Sequence, residues 1–131
     1  MGLDVYEAVR GRRRQITTDP PQERVRNVYQ GRCAVPTYVM LANWTEQGAQ
    51  KIKESPKRVD DARKLLVEMG GKFDHIYMTM GDYDMIVVYE APDDAVAARF
   101  TLMLEQAGSV RTRTMKAFPE AAYRAIINSL P

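Results

Sequence analysis

The chain is poor in the residues that most metal and nucleophile chemistry needs. Among its 131 residues there is one cysteine, Cys33, and one histidine, His75. A lone cysteine forms no internal disulfide, which fits a reducing compartment. A lone histidine excludes a multi-histidine metal site. No window approaches the roughly 18 apolar residues of a membrane span, and no apolar stretch near the N-terminus marks a secretory signal. A cytoplasmic location is therefore expected. Phosphate-cradling glycine loops, zinc-ligand spacings, nucleophile elbows and paired-glutamate motifs are also missing. Hydrolase and kinase chemistry are set aside on that ground, and neither a metal nor a cofactor is expected.

Charge of one sign is scarce too. The net charge is +2, and it is unevenly spread. Residues 1–34 hold seven basic and four acidic residues, whereas residues 35–131 hold twelve and thirteen. The larger part is thus close to neutral and carries no electrostatic footprint for nucleic acid.

Residues 1–34 contain Arg12-Arg13-Arg14 and Pro20-Pro21, few aliphatic residues and no periodicity, a composition that does not build a core. One reading is a basic arm touching nucleic acid or anionic lipid; another is a solvated tail. A third rests on codon chemistry. All seven basic residues here are arginine, against six arginines and six lysines afterwards, as translated GC-rich non-coding DNA would give. Val35 is a residue that a GTG start codon encodes. The expectation is a disordered or non-native extension over 1–34 and a natural start at Val35.

What is present is a clear alternation of element signals. Residues 37–44 are β-branched and aromatic, a first strand. Thr45 offers an N-cap to a helical stretch with Ala49 and Ile52. Ser55-Pro56 interrupts it, with serine as N-cap and proline at the first helical position. Val59, Ala62, Leu66 and Met69 then form one apolar stripe, and Gly70-Gly71 ends the helix. Strands are expected over 72–80 and 82–90 around Gly81 as the pivot of a tight hairpin. Pro92-Asp93-Asp94 opens a second helix, whose acidic start suits the positive helix end. Val96, Phe100, Met103, Leu104 and Ala107 line it, and Gly108 closes it. A fourth strand over 109–118 and a short helix over 120–129, with Tyr123, Ile126, Ile127 and Leu130 on one face, complete the chain.

The order βαββαβ plus a tail helix is α+β and ferredoxin-like: two helices cover one face of a four-stranded antiparallel sheet. In the third strand Met85, Val87 and Tyr89 alternate with Ile86 and Val88, so both faces are apolar. A wet face would alternate apolar with polar. Pairing of two chains through the second face, as a homodimer or higher homo-oligomer of the dimeric α/β barrel type, follows as an expectation.

Several residues are candidates for chemistry. Gly81-Asp82-Tyr83-Asp84 reads either as a turn whose aspartate bonds local amides or as a ligand loop, with backbone amides opened by Gly81 and polar groups from Tyr83 and Asp84. Asp74-His75 suggests acid–base work, but neighbours on a strand point to opposite faces. His75 is expected to share a face with Phe73 and Tyr77, as a packed or rim histidine. Asn43-Trp44 supplies an amide and an indole donor, for a pocket or for the core. Met78, Met80 and Met85 suit an adaptable apolar pocket or ordinary packing. Arg111 and Arg113 share one face of the fourth strand and would steer an anionic ligand, or form a solvated edge, as Lys57-Arg58 would.

The segment from Thr79 to Val87, Thr-Met-Gly-Asp-Tyr-Asp-Met-Ile-Val, resembles the signature of the GYD-domain family. So do Asn43-Trp44-Thr45-Glu46-Gln47-Gly48, Ser55-Pro56-Lys57-Arg58 and Val110-Arg111-Thr112, in the same order. The likeness spans residues 35–131 and none of 1–34. The back half is also similar to the effector-binding domain of Lrp/AsnC-type regulators, although Gly108-Ser109-Val110-Arg111-Thr112 is one residue shorter than their pattern. Those domains bind amino acids or similar molecules at subunit interfaces, so the resemblance implies a ligand site near Gly81, Tyr83 and Asp84. It implies no DNA binding, since the regulators use a separate helix-turn-helix. Histidine-ligated haem occurs in the wider superfamily, and His75 alone is slender support for it.

Two functions follow as expectations. The first is a non-enzymatic dimer binding a small polar, amino-acid-like ligand near the Gly81 hairpin or the dimer interface, with Gly81, Tyr83, Asp84, Asn43, Trp44 and His75 as site residues. Neither nucleic acid nor membrane is an expected partner. The second is a cofactor-independent monooxygenase or isomerase of the dimeric α/β barrel type, which requires Asn43, Trp44 or His75 to point into a cavity between sheet and helices.

Overall fold

The computed structural model describes residues 35–131; the expectations for residues 1–34 lie outside the described residues. The elements in order are β1 (Thr37–Trp44), α1 (Glu46–Gln50), a 3-10 turn (Ile52–Glu54), α2 (Ser55–Glu68), β2 (Lys72–Met78), β3 (Met85–Glu90), α3 (Asp94–Gln106), β4 (Val110–Ala117) and α4 (Glu120–Asn128). The strands form one antiparallel sheet in the order β2-β3-β1-β4. This is the ferredoxin-like α+β fold.

The period-2 alternation of the strands decides which side chains enter the core. Tyr38, Met40 and Ala42 of β1 and Met85, Val87 and Tyr89 of β3 point to the helices and are buried. They meet Leu66 of α2 and Ala97 and Phe100 of α3. The Tyr89 ring stacks on Tyr38 at 5.4 Å and meets Phe100 edge-on at 5.4 Å, geometries that add to simple burial.

Helix ends follow local chemistry. Thr45 caps α1, its hydroxyl accepting from the Gly48 N–H (3.2 Å), and Asp93 caps α3 by accepting from the Val96 N–H (2.8 Å). Gly70 and Gly108 follow α2 and α3 with positive φ, a conformation glycine adopts without a Cβ penalty. Ser55 departs from expectation. It is the first residue of α2, with Pro56 beside it, and its side chain makes no capping bond. The 3-10 turn leads the chain straight into the helix, so the Ser55 N–H already donates to the Ile52 carbonyl.

Two strand boundaries also differ. β2 stops at Met78 and β3 starts at Met85, so the expected tight hairpin is a wider loop over residues 79–84. A bulge between Phe73 and His75 shifts the register of β2. One extra residue reverses side-chain facing beyond it. Phe73 and Ile76 therefore reach the core, while His75 and Tyr77 lie opposite Val88 and Ile86 on the other face. The expected shared face of Phe73 and His75 is corrected by that bulge.

On this second face the cross-strand neighbours are Val39 with Val88 and Met115, and Leu41 with Ile86 and Arg113. Val39, Leu41, Ile86 and Val88 are partly buried and lie outside the core that the helices cover. Tyr77 and Met115 are more than half and half exposed, respectively. Tyr123 and Ile127 of α4, and Leu130 just after it, are likewise exposed.

Candidate functional site

The loop at residues 79–84 is held from both sides. Thr79 donates through its hydroxyl to the Tyr83 carbonyl (2.6 Å) and through its N–H to the Asp84 carbonyl (2.8 Å). The Asp84 N–H is shared between the Ala42 carbonyl (3.0 Å) and Asn43 Oδ1 (3.1 Å). Asp84 Oδ2 in turn accepts from the Trp44 N–H (2.9 Å). Asp84 and Asn43 thus clamp the loop to the end of β1, and of these bonds the one that the Asp84 carboxylate accepts is strengthened by charge. Gly81 sits at φ +124, and a Cβ there would meet nothing within 4 Å. Its role is conformational: glycine reaches this region freely where other residues are strained.

Held in this way, Tyr83 lines a cleft of about 520 Å³ with Leu41, Asn43, Glu105, Arg111, Thr112 and Arg113. The register explains the grouping, since Asn43 pairs with Arg111 and Leu41 with Arg113 across β1 and β4. Neither arginine has an ion pair or hydrogen-bonding side chain among the described residues. Glu105 was not foreseen. Its Oε1 accepts from the Thr112 N–H (3.1 Å) and hydroxyl (2.9 Å), which brings the end of α3 to the rim of the cleft. The only sequence signal is its placement three residues before the Gly108 turn into β4.

Other candidates lie elsewhere. His75 is exposed on the far edge strand, its ring parallel to that of Tyr77 at 6.2 Å. Asp74 pairs with Lys72 (3.5 Å) rather than with His75. Trp44 points to the helix side, where it lines a separate cavity. Asn43, Trp44 and His75 are therefore divided between two faces, and of the three only Trp44 lines the cavity between sheet and helices that the enzyme alternative requires. Arg58 is a structural residue, donating to the carbonyls of Lys51 and Gly48 (both 3.1 Å).

A third polar group surrounds Asp94. Its carboxylate accepts from the Tyr38 hydroxyl (2.5 Å) and pairs with Lys116 (3.0 Å). Burial, reinforced by this carboxylate, pushes the Tyr38 hydroxyl up from its ordinary pKa. The same hydrogen bond, with Lys116, holds Asp94 below its usual value. These shifts favour the arrangement as drawn, a neutral phenol donating to a carboxylate. The group ties β1, α3 and β4 together at the opposite end of β1 from the loop.

Among the described residues no cluster of three potential metal ligands occurs, and no helix is long and apolar enough to cross a membrane.

The chain is 35% identical over 88 residues to the glutamine synthetase and cystathionine β-lyase binding protein of Thermus thermophilus, covering 66% of this chain and 93% of that protein. The feast or famine regulatory protein of M. tuberculosis, solved in complex with L-methionine, superposes with a TM-score of 0.50 at 14% identity, over 75% of this chain and 69% of that one. That likeness is one of fold. The family model described as the GYD domain matches residues 38–127, and the chain belongs to the GYD domain family.

Proposed function

We propose that this protein is a non-catalytic homo-oligomer that binds a small carboxylate ligand of amino-acid type in the cleft beside the Tyr83 loop. The observation that carries this reading is the pair of unpartnered arginines, Arg111 and Arg113, lining one cleft with Asn43 and Tyr83. Arginine presents a planar fork that matches a carboxylate in two parallel hydrogen bonds. Glu105, at the same rim, offers the opposite charge to an ammonium group. Gly81 and Asp84 set the loop that holds Tyr83 in place. Pairing through the apolar second face of the sheet would put this cleft at the edge of the interface, because Leu41 and Asn43 belong to that face.

Titration calorimetry of single amino acids and small organic acids into the full chain tests the proposal. At least one amino acid should bind, more weakly as salt rises. The Arg111→Ala/Arg113→Ala variant should lose at least about tenfold in affinity, as expected for charge-assisted bonds, with its melting temperature kept. Binding by none of them, or an unaffected double variant, counts against the cleft as the site.

The name of the T. thermophilus relative favours a second reading, in which the protein docks on glutamine synthetase or cystathionine β-lyase. Met78 and Met80, 74% and 95% exposed at the hairpin, are adaptable contact residues of the kind such docking uses. Sedimentation velocity of the chain mixed with each enzyme from the same source should show a faster joint boundary; independent boundaries would rule this reading out.

A further inference from the structure

The side chains on the second face of the sheet fall into rows that cross all four strands. One row is Tyr77, Ile86, Leu41 and Arg113; the next is His75, Val88, Val39 and Met115. Both rows are aliphatic in the middle and end in exposed groups of different kinds. Tyr77 and His75 stand on the β2 edge with their rings parallel, and Tyr77 is 57% exposed. Arg113 and Met115 stand exposed on the β4 edge, with Arg111 next to Arg113 on the same face. Within one chain the two edges are far apart, since three strand spacings, about 14 Å, separate Tyr77 from Arg113.

These rows complement themselves in reverse. Two sheets packed in the aligned manner keep their strand directions within about 30°, so a two-fold axis between identical sheets runs either across the strands or along them. Across the strands, each edge meets its own copy, and the arginines of both chains gather along one seam, where like charges repel. Along the strands, each row lies on the same row of the partner in reverse order. Leu41 then meets the partner's Ile86, Val39 meets the partner's Val88, and the two copies of Ile86 lie diagonally across the axis. At the edges Arg113 lands on the partner's Tyr77, and Met115 on the partner's His75. A guanidinium over an aromatic face and a thioether against a ring are both favourable pairings, and the sheet order keeps both apart within one chain.

We propose that the polar cleft is shared between two chains: Asn43, Tyr83, Arg111 and Arg113 come from one, and Tyr77 of the partner subunit closes it. This rests on the reading of the cleft as an amino-acid site and adds to it a residue from the second copy. Arg113 belongs both to the cleft and to the row that ends on the partner's Tyr77, so the ring stacked on its guanidinium lies at the cleft mouth. Stacking uses the flat face of the guanidinium and leaves its in-plane N–H groups to a carboxylate. The partner's His75, one row further from the Tyr83 loop, falls on Met115, which does not line the cleft.

Cross-linking tests the pairing without any ligand. Cys33→Ser removes the sole native thiol, and Tyr77→Cys and Arg113→Cys are then introduced into the full chain, together and singly. A short bismaleimide is added, its reach matched to the roughly 10 Å between facing sheets. The variant with both cysteines should give a band of doubled mass on a denaturing gel, and neither single variant should. Doubled mass from Arg113→Cys alone would place β4 on β4, and no doubled mass with both cysteines would separate the two edges; either result overturns the proposal. Binding gives a second readout. Amino acids that bind the unmodified chain should bind Tyr77→Ser about fivefold more weakly, the size of one lost cation–π contact, with sedimentation still showing the assembled form. Because Tyr77 is remote from the cleft of its own chain, such a loss reports the partner's ring; unchanged affinity would overturn the proposal. Cross-linking of both cysteines with no amino acid bound would overturn the amino-acid reading and still support the shared cleft.

Discussion

Replacing Gly48 by alanine should lower the unfolding midpoint of the chain by more than 10 °C, although alanine is the better helix former. On propensity alone the substitution within α1 would gain up to about 1 kcal/mol. The surroundings reverse the sign. A Cβ at Gly48 would stand 2.1 Å from the Ser109 carbonyl oxygen and 3.0 Å from its carbon. Both are backbone atoms that no rotamer change can move. The same carbonyl accepts from the Thr45 N–H (3.0 Å), while the Thr45 hydroxyl donates to the Gly108 carbonyl (2.6 Å). Relieving the clash therefore opens the junction between the end of β1, α1 and the start of β4. Overpacking costs about 1–3 kcal/mol and a broken hydrogen bond about 1 more. A loss of about 3 kcal/mol shifts the midpoint of a domain this size by roughly 12–24 °C. Thermal denaturation followed by circular dichroism decides it; an unchanged or higher midpoint would show that α1 does not pack on Ser109 in this way.

The second large effect concerns association. Ile86→Glu should convert the assembled protein to monomers while leaving each chain folded. Ile86 lies on the open face between Leu41 and Tyr77 in the sheet, beside Val39, Val88 and Met115. In a lone chain Ile86 is only partly buried on the sheet face, and a glutamate there turns its carboxylate to the open side at a cost of about 1 kcal/mol, typical of single substitutions. In a face-to-face pair the same carboxylate meets its own copy in an apolar seam, where an unpaired buried charge costs several kcal/mol. Sedimentation equilibrium at micromolar concentration should give a multiple of the 14.9 kDa chain mass for the unmodified protein and the chain mass for the variant. A monomeric unmodified protein would remove the oligomer from the proposal and leave the apolar face to another partner.

The parts of this fold that sequence periodicity reveals are those that depend on near neighbours. The stripe from Val59 to Met69, the Gly70-Gly71 stop and the alternation in β1 and β3 all report local geometry, and each appears where its pattern places it. The departures depend on contacts distant in sequence. Residues 79–84 look like the ends of two strands until Asp84 is seen spending its N–H and carboxylate on residues 42–44 of another strand. The bulge after Phe73 has no glycine or proline to announce it, so plain alternation groups His75 with both Phe73 and Tyr77, and only Tyr77 shares its face. Ser55 has the chemistry of an N-cap, but the preceding 3-10 turn leaves it no such position.

The candidate site divides in the same way. That Arg111 and Arg113 share a face follows from strand alternation alone. That Asn43 and Tyr83 join them follows from the β1–β4 register and the Asp84 clamp, which no short motif encodes. The separation of Trp44 from Asn43 is the reverse case. Adjacent in sequence, they belong to opposite faces of one strand, and they line two different cavities.

The central claim is that ligand binding belongs to the cleft between the Tyr83 loop and β4. Its most direct test is a two-dimensional ¹⁵N–¹H NMR titration of the full chain with the amino acid that binds in calorimetry. The account predicts saturable shifts concentrated at Asn43, Tyr83, Glu105 and residues 111–113, with His75 at the far edge unmoved. Shifts centred on His75 or on α4, with the Tyr83 loop silent, would contradict it.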